Sequence, residues 1–395
     1  MSSMPSTAPG ARAASAQHLG ATLAAMLVLA VAMGFGRFAF TGMYPIMVRE
    51  QVLTLDGGSL AASGNYAGYL IGALLAARLP THRAAWLSRV SLVGTVLAML
   101  ALALPAPASA VIAIRLVAGV LSAFSMVSAA VWLFSVVGNH HGAPLLFAGV
   151  GLGILASAEL IAGGNLAGWS SAALWLVLSA AAAVMTLLAW PAFGRDYAGA
   201  GAAADAASGA TDAAPQATPA GLVGPWPLIA AYGLAGFGYI ITATYLPLFI
   251  RDALGQVDPI HIWAAFGLGA APSCFFWHAF HQRVGTRRAL AINLVVQAVG
   301  VLLPVLLPSA AGYLGSAVLV GGTFVGTVTI VMPAARHVAH RVRFNIVAVL
   351  TAAYGIGQIA GPLMSSALMG RAHSFTGPLL SAAVALVVAA VLCWL

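Results

Sequence analysis

The sequence predicts an all-α integral membrane protein, its twelve transmembrane helices arranged as two pseudo-symmetric six-helix bundles. Three observations predict this. The 395 residues are 62% hydrophobic and 6% charged, with a mean hydropathy of +1.00. A soluble domain carries about 25% charged residues, so this chain has too few polar groups to cover a water-facing surface. The apolar residues fall into twelve runs close to the ~20 residues that a hydrocarbon core requires. The chain also repeats itself: GFGRFAFTGMYPIMVRE at 34–50 aligns without a gap on GFGYIITATYLPLFIRD at 236–252. Gly34, Phe35, Gly36, Pro45 and Arg49 fall on Gly236, Phe237, Gly238, Pro247 and Arg251, at an offset of 202 residues. Arg37 meets Tyr239 across the repeat, so that cation belongs to one half only.

The elements follow in order. Residues 1–18 are rich in Ala, Ser and Pro and are expected to form a disordered cytoplasmic tail. The first span, 19–48, is too long for a signal-peptide core and contains Arg37, so it reads as an uncleaved helix. The second, 59–79, carries Gly64, Gly68 and Gly72 on one helix face, the spacing of a close helix–helix contact, with Asn65, Tyr66 and Tyr69 beside that row. The third, 86–104, rests on apolar length alone. The fourth, 108–137, contains Arg115, and the fifth, 144–166, contains Glu159, the one acidic residue inside a span. The sixth, 170–193, completes a first bundle over 19–193. Residues 194–224 have the Ala, Gly, Pro, Asp and Thr content of a flexible linker and divide the spans six and six. The second bundle, 225–395, has spans at 225–250, 259–280, 289–307, 312–335, 345–369 and 375–395.

Charge restricts the function. There is no lysine; all sixteen cationic residues are arginines. That excludes a Walker A nucleotide site and a Schiff-base retinal pump. The formal net charge of +8 does not indicate nucleic-acid binding, because the arginines sit at helix ends rather than on one patch. With the N-terminus inside, eleven arginines fall on the cytoplasmic side and three, Arg49, Arg251 and Arg371, outside. This bias puts both termini and the linker in the cytoplasm. Cys274 and Cys393 lie in apolar runs and read as core residues. His140, His141, His337 and His340 read as solvated loop histidines, so no metal and no cofactor are expected.

Several local patterns resemble the major facilitator superfamily. The loop HQRVGTRRAL after the eighth span is similar to that family's D-R-x-G-R-R signature through Arg283, Gly285, Arg287 and Arg288, with Gln282 where the acid is expected. ARLPTHRAAW after the second span keeps the basic residues and loses the acid and the glycine. RLVAGVLSA resembles the R-x-x-x-G pattern of the fourth helix through Arg115 and Gly119. GVGLGILASAELIAGG, YGIGQIAGP, GRFAFTGMYP and GNYAGYLIGALLAA together look like a poorly characterised bacterial branch, the YbfB/YjiJ type. The resemblance implies a monomeric multi-pass transporter of the inner membrane. It also implies that the first, fourth, seventh and tenth helices line a central cavity.

On that scheme Arg37 and Arg115 lie on cavity helices. A membrane arginine is a planar, permanent donor suited to a carboxylate or phosphate, or else it packs against backbone carbonyls. Tyr66, Tyr239, Thr242, Tyr245 and Gln358 are the other substrate-binding candidates. Arg115 and Glu159 each lie ~10 Å from the outer ends of consecutive spans, at 1.5 Å per residue. They are therefore expected either to pair or to leave Glu159 solvated. A carboxylate that alternates between an apolar setting and an arginine neighbour can take up a proton on one side and release it on the other. Glu159, with Arg115, is thus the expected proton site.

The sequence contains no H-E-x-x-H, no G-x-S-x-G and no acidic metal cluster, so an enzyme is not expected. The expected function is secondary active transport of a small solute by alternating access, coupled to protons. Two cavity arginines favour a small organic anion. The alternatives are an efflux antiporter for amphiphilic or drug-like compounds, and a channel or sensor built on a transporter scaffold.

Overall fold

The computed structural model describes residues 9–195, 197, 223–249, 258–372 and 374–395, and twelve long helices follow one another through them. We number them in chain order. Helix α1 is continuous but changes pitch: Pro9–Leu29 is α-helical, Ala30–Phe38 is π-helical and Ala39–Arg49 is α-helical again. The first bundle continues with α2 (Leu55–Ala76), α3 (Ala84–Leu102), α4 (Ala108–Val131), α5 (Ala143–Leu166) and α6 (Ser171–Ala189). The second holds α7 (Pro225–Phe249), α8 (Pro259–Val284), α9 (Thr286–Leu306), α10 (Ala310–Val338), α11 (Ile346–Ala372) and α12 (Thr376–Leu392). No strand occurs among the described residues.

Ten of these helices are long and apolar enough to cross a membrane, and α12 is a shorter apolar helix. Helix α2 spans 22 residues but carries Asp56, Asn65, two serines and five glycines on its length, so its composition is less apolar than its place requires. Neighbouring helices α4 and α11 cover much of it, which reduces its need for lipid-facing side chains. Elsewhere large apolar side chains such as Leu75, Leu187, Val184 and Val384 stand exposed on the outside of the bundle, as lipid contact requires.

Local chemistry sets the helix ends. Thr54 Oγ1 accepts from the Gly57 amide at 3.0 Å, Ser170 Oγ from Ala173 at 3.3 Å, and Asp258 Oδ1 from Ile260 at 2.9 Å, each capping a helix N-terminus. Gly285, at φ 81°, is the sharp junction of α8 with α9, in backbone space that a side chain rarely enters. One expectation is corrected at the N-terminus. Pro9–His18 is helical rather than disordered, because this stretch is alanine-rich and alanine is the strongest helix former. Residues 1–8 and most of the 194–224 linker lie outside the described residues, as do Arg251 and Asp252 of the repeat.

The repeat reappears in the packing. Helix α2 packs on α4 as α8 packs on α10, and α1 packs on α5 as α7 packs on α11. Between the bundles, α5 lies on α8 and α11 lies on α2, the same pairing with the halves exchanged. The glycine row of α2 acts as its spacing predicts. A Cβ on Gly68 would lie 1.9 Å from the Leu116 carbonyl oxygen, and one on Gly119 of α4 would lie 2.0 Å from that of Asn65. The two backbones touch there, and nothing larger than glycine fits.

Candidate substrate-binding site

Arg37 lies inside the π-helical segment of α1 and is 2% exposed. Its Nη2 donates to Gln358 Oε1 of α11 at 3.0 Å. Gln358 in turn donates through Nε2 to the Tyr239 hydroxyl of α7. The two positions that the repeat superimposes, 37 and 239, are therefore joined through one side chain. The Arg37 guanidinium lies 4.1 Å from the ring centre of Tyr69, 5.0 Å from Tyr66 and 5.3 Å from Phe38, in reach of cation–π attraction. Its Nε and Nη1 have no hydrogen-bond partner.

Arg115 holds this segment in place. Its Nη1 donates to the Gly36 carbonyl at 2.8 Å and its Nη2 to the Arg37 carbonyl at 2.9 Å, with the guanidinium 4.4 Å from the Phe40 ring centre. Both carbonyls belong to the π-helical segment of α1. Asn65 Nδ2 bonds the Arg115 carbonyl at 2.8 Å. Arg115 is thus a positioning residue for Arg37.

A cavity of about 450 Å³ begins at Arg37 and Gln358. Its lining reaches Ala77 after α2, Val131 at the end of α4, Met332 late in α10 and Asn345 before α11. All four stand at the end of the bundle where the 195–223 connection leaves and returns, here called the linker end. Helices α1, α4, α7 and α10 contribute, as the family resemblance implied, and α2, α5 and α11 contribute too. Among the described lining residues there is one cation, Arg37, and no carboxylate.

Beyond Arg37, toward the far end, the halves are tied together. Thr41 Oγ1 donates to the Ala243 carbonyl at 2.6 Å. The Tyr66 hydroxyl meets Thr244 Oγ1 at 2.9 Å, and the Tyr245 hydroxyl donates to Ser59 Oγ at 2.7 Å. At the rim Asn165 Nδ2 donates to Asp258 Oδ2 at 2.6 Å, and Arg49 Nη2 to Asn165 Oδ1 at 2.9 Å. Among the described residues, the hydrogen bonds between halves lie at the level of Arg37 or beyond it, and none lies toward the linker end.

The candidates from the sequence therefore separate. Arg37, Tyr239 and Gln358 meet at the cavity. Tyr66 and Tyr245 belong to the hydroxyl contacts that close the far side. Thr242 is fully buried, has no hydrogen-bond partner for Oγ1 and does not line the cavity. The loop residues Arg283, Gly285, Arg287 and Arg288 form the turn between α8 and α9, where Arg287 lies 5.9 Å from the Trp394 ring centre. His140 stacks on Phe134 at 5.7 Å, and His337 Nδ1 donates to the Pro333 carbonyl at 3.0 Å.

The expected Glu159–Arg115 pair is not formed. Glu159 Oε1 instead meets His261 Nδ1 of α8 at 3.1 Å, with the two side chains 50% and 40% exposed. The reason is azimuth rather than depth. Gly151, Leu155 and Glu159 share the face of α5 that meets α8, where a Cβ on Gly151 would lie 2.3 Å from the Ala271 nitrogen. Arg115 faces α1. The sequence reasoning also passed over Tyr232, Tyr354 and Phe324, which line the cavity. Tyr354 is four residues before Gln358 and Tyr232 is seven before Tyr239, so helical spacing put each on the face of a residue already singled out.

The family model of the uncharacterised MFS-type transporter YbfB matches residues 29–394. The chain belongs to the major facilitator superfamily. Within the superfamily it falls in the YbfB branch, so it is a multi-pass membrane transporter. No curated protein matches it.

Proposed function

We propose that this protein is a secondary active transporter that moves a small organic anion across a bacterial inner membrane by alternating access, coupled to protons. Both termini and the linker are assigned to the cytoplasm, on the arginine bias of the loops. The observation that carries the reading is Arg37: a buried cation with unpartnered donors at the head of a cavity that runs to one end of the bundle only. A guanidinium without a carboxylate partner is costly in such a place, and an anionic solute relieves that cost. The hydrogen bonds beyond Arg37 support a state closed toward the outside. In the alternate state those bonds part and the linker end closes.

Glu159 remains the proposed proton carrier, with His261 rather than Arg115 as its partner. The two come from different halves, both are about half exposed, and they stand at the rim that must open. Histidine is the side chain whose charge ordinarily changes between pH 5 and 8. Asp258, Asn165 and Arg49 are the other charged or polar groups tied together at this rim. Efflux of amphiphilic compounds is a second reading, favoured by the apolar lining, but the sign of Arg37 speaks against lipophilic cations.

A thermal-shift screen of the purified protein tests the charge. Organic acids should raise the melting temperature and lipophilic cations should not; stabilisation by the cations alone refutes the proposal. The best acid, radiolabelled, then serves in proteoliposomes. Glu159→Gln should lose uptake driven by a pH gradient and keep exchange of labelled for unlabelled acid. Full gradient-driven uptake in that variant rules out Glu159 as the carrier, and an absence of exchange acceleration in the wild type indicates a channel.

A further inference from the structure

The geometry points to an aromatic monocarboxylate as the ligand of this cavity, its carboxylate on Arg37 and its ring against the tyrosines of α7 and α11. This rests on the reading of Arg37 as an anion site and deepens it.

Charge limits the ligand to one negative group. The described lining has one guanidinium and no second cation. Arg115 is close by, but both its terminal nitrogens are bonded to the carbonyls of Gly36 and Arg37. A second carboxylate, or the second charge of a phosphate, would lose its water without gaining a partner. A cationic group would face Arg37 with no acid to balance it.

The fork itself has hydrogens without an acceptor. A carboxylate docks on either of two edges of a guanidinium, one formed by Nε and Nη2 and the other by Nη1 and Nη2. Gln358 takes one hydrogen of Nη2. Whichever edge that hydrogen belongs to, the other edge has no acceptor, because Nε and Nη1 are both unpartnered; both atoms are buried, so a carboxylate reaches them by displacing a neighbour such as the Tyr69 ring.

The wall decides the body of the ligand. Tyr232 and Tyr354 stack at 4.4 Å and 23°, Tyr354 and Tyr239 at 5.7 Å and 17°, and Tyr239 and Phe324 at 5.3 Å and 11°. The rings thus form one series, Tyr232–Tyr354–Tyr239–Phe324, with Tyr239, the partner of Gln358, inside it; neighbours cover the faces of Tyr354 and Tyr239, which leaves their edges for the cavity. A flat ring carried one or two bonds from a carboxylate turns its face to those edges, the edge-to-face arrangement that aromatic pairs favour, while its charge reaches the fork. The remaining wall is mostly apolar, with Thr351 and Asn345 as its polar members, and includes Met33, Met126 and Met332, which adapt to differing ring shapes. A volume of about 450 Å³ lies within the usual range for organic ligands, roughly 300–1,000 Å³.

The test is binding to the full-length protein in detergent, by isothermal titration, with phenylacetate, cyclohexylacetate, octanoate, succinate, inorganic phosphate and benzylammonium as probes. Phenylacetate should bind, cyclohexylacetate and octanoate at least tenfold more weakly, and the other three not measurably. Arg37→Lys should lose at least tenfold in phenylacetate affinity. Tyr354→Leu should lose at least tenfold, and Tyr354→Phe less than twofold, with thermal unfolding checked for each variant. Octanoate or succinate binding as tightly as phenylacetate, and depending on Arg37, overturns the aromatic assignment but leaves the anion site standing. Benzylammonium binding that survives Arg37→Ala overturns both. No binding of phenylacetate to protein that unfolds cooperatively overturns the proposal, as does an affinity unchanged in Tyr354→Leu.

Discussion

Arg37 and Arg115 are equally buried, at 2% exposure, yet their surroundings give them different roles. Arg115 ends on two backbone carbonyls and one ring, so its charge is held by α1 itself. Arg37 ends on one glutamine amide and has donors to spare. Removing Arg115 should therefore damage folding, since each orphaned carbonyl costs about 1–3 kcal/mol. Arg115→Met is expected to lower the melting temperature in detergent and the yield of monodisperse protein, and adding Glu159→Gln should not restore either. Recovery in the double variant would mean that a Glu159–Arg115 ion pair forms after all. The residue types at the site were legible in the sequence, because a charge inside an apolar run is conspicuous. Their partners were not. Position along a span gives depth at 1.5 Å per residue, but the direction in which Glu159 points depends on which helix covers that face of α5.

At the scale of helices, close packing at glycine sets the geometry. Gly68 and Gly119 let α2 and α4 touch within one half, and Gly151 and Gly267 do the same for α5 and α8 between halves. Gly68→Val should cost at least about 1–3 kcal/mol through overpacking. Gly163→Ala, with nothing within 4 Å of its added Cβ, should be neutral or slightly stabilising. Thermal unfolding of the two variants checks this, and equal melting temperatures would refute the close α2–α4 contact. The helices themselves were readable because twenty apolar residues in a row have one physical solution in lipid. The π-helical segment of α1 was not readable. It coincides with carbonyls that Arg115 bonds, a contact from a helix more than seventy residues further on. The segment is also absent from α7, its repeat partner, which is α-helical from Pro225 to Phe249.

For the molecule as a whole, orientation is the first matter to test. Reporter fusions at Ala214 and at the C-terminus should both read cytoplasmic, and one at Gly57 should read outside; either of the first two reading outside overturns the assigned topology. The division into halves was visible beforehand through the 202-residue offset, whereas the state in which they stand, tied at the far end only, depends on contacts between residues 93 to 310 positions apart, such as Asn165–Asp258 and Asp56–Ser366.

One of those ties has a consequence for ancestry. Thr41 bonds the carbonyl of Ala243, the residue that the repeat puts in its own place. An element touching its own duplicate lies on the rotation axis relating the two copies, so this bond marks where two identical six-helix chains would meet as a homodimer. Parity then applies to the axis. A homodimer can place two arginines there or none, since whatever one chain contributes the other contributes as well, and two would repel at close quarters in a medium of low dielectric. Only once the copies differed in sequence could one position keep Arg37 and the other take Tyr239. A single positive charge at a twofold interface requires two halves that are no longer identical.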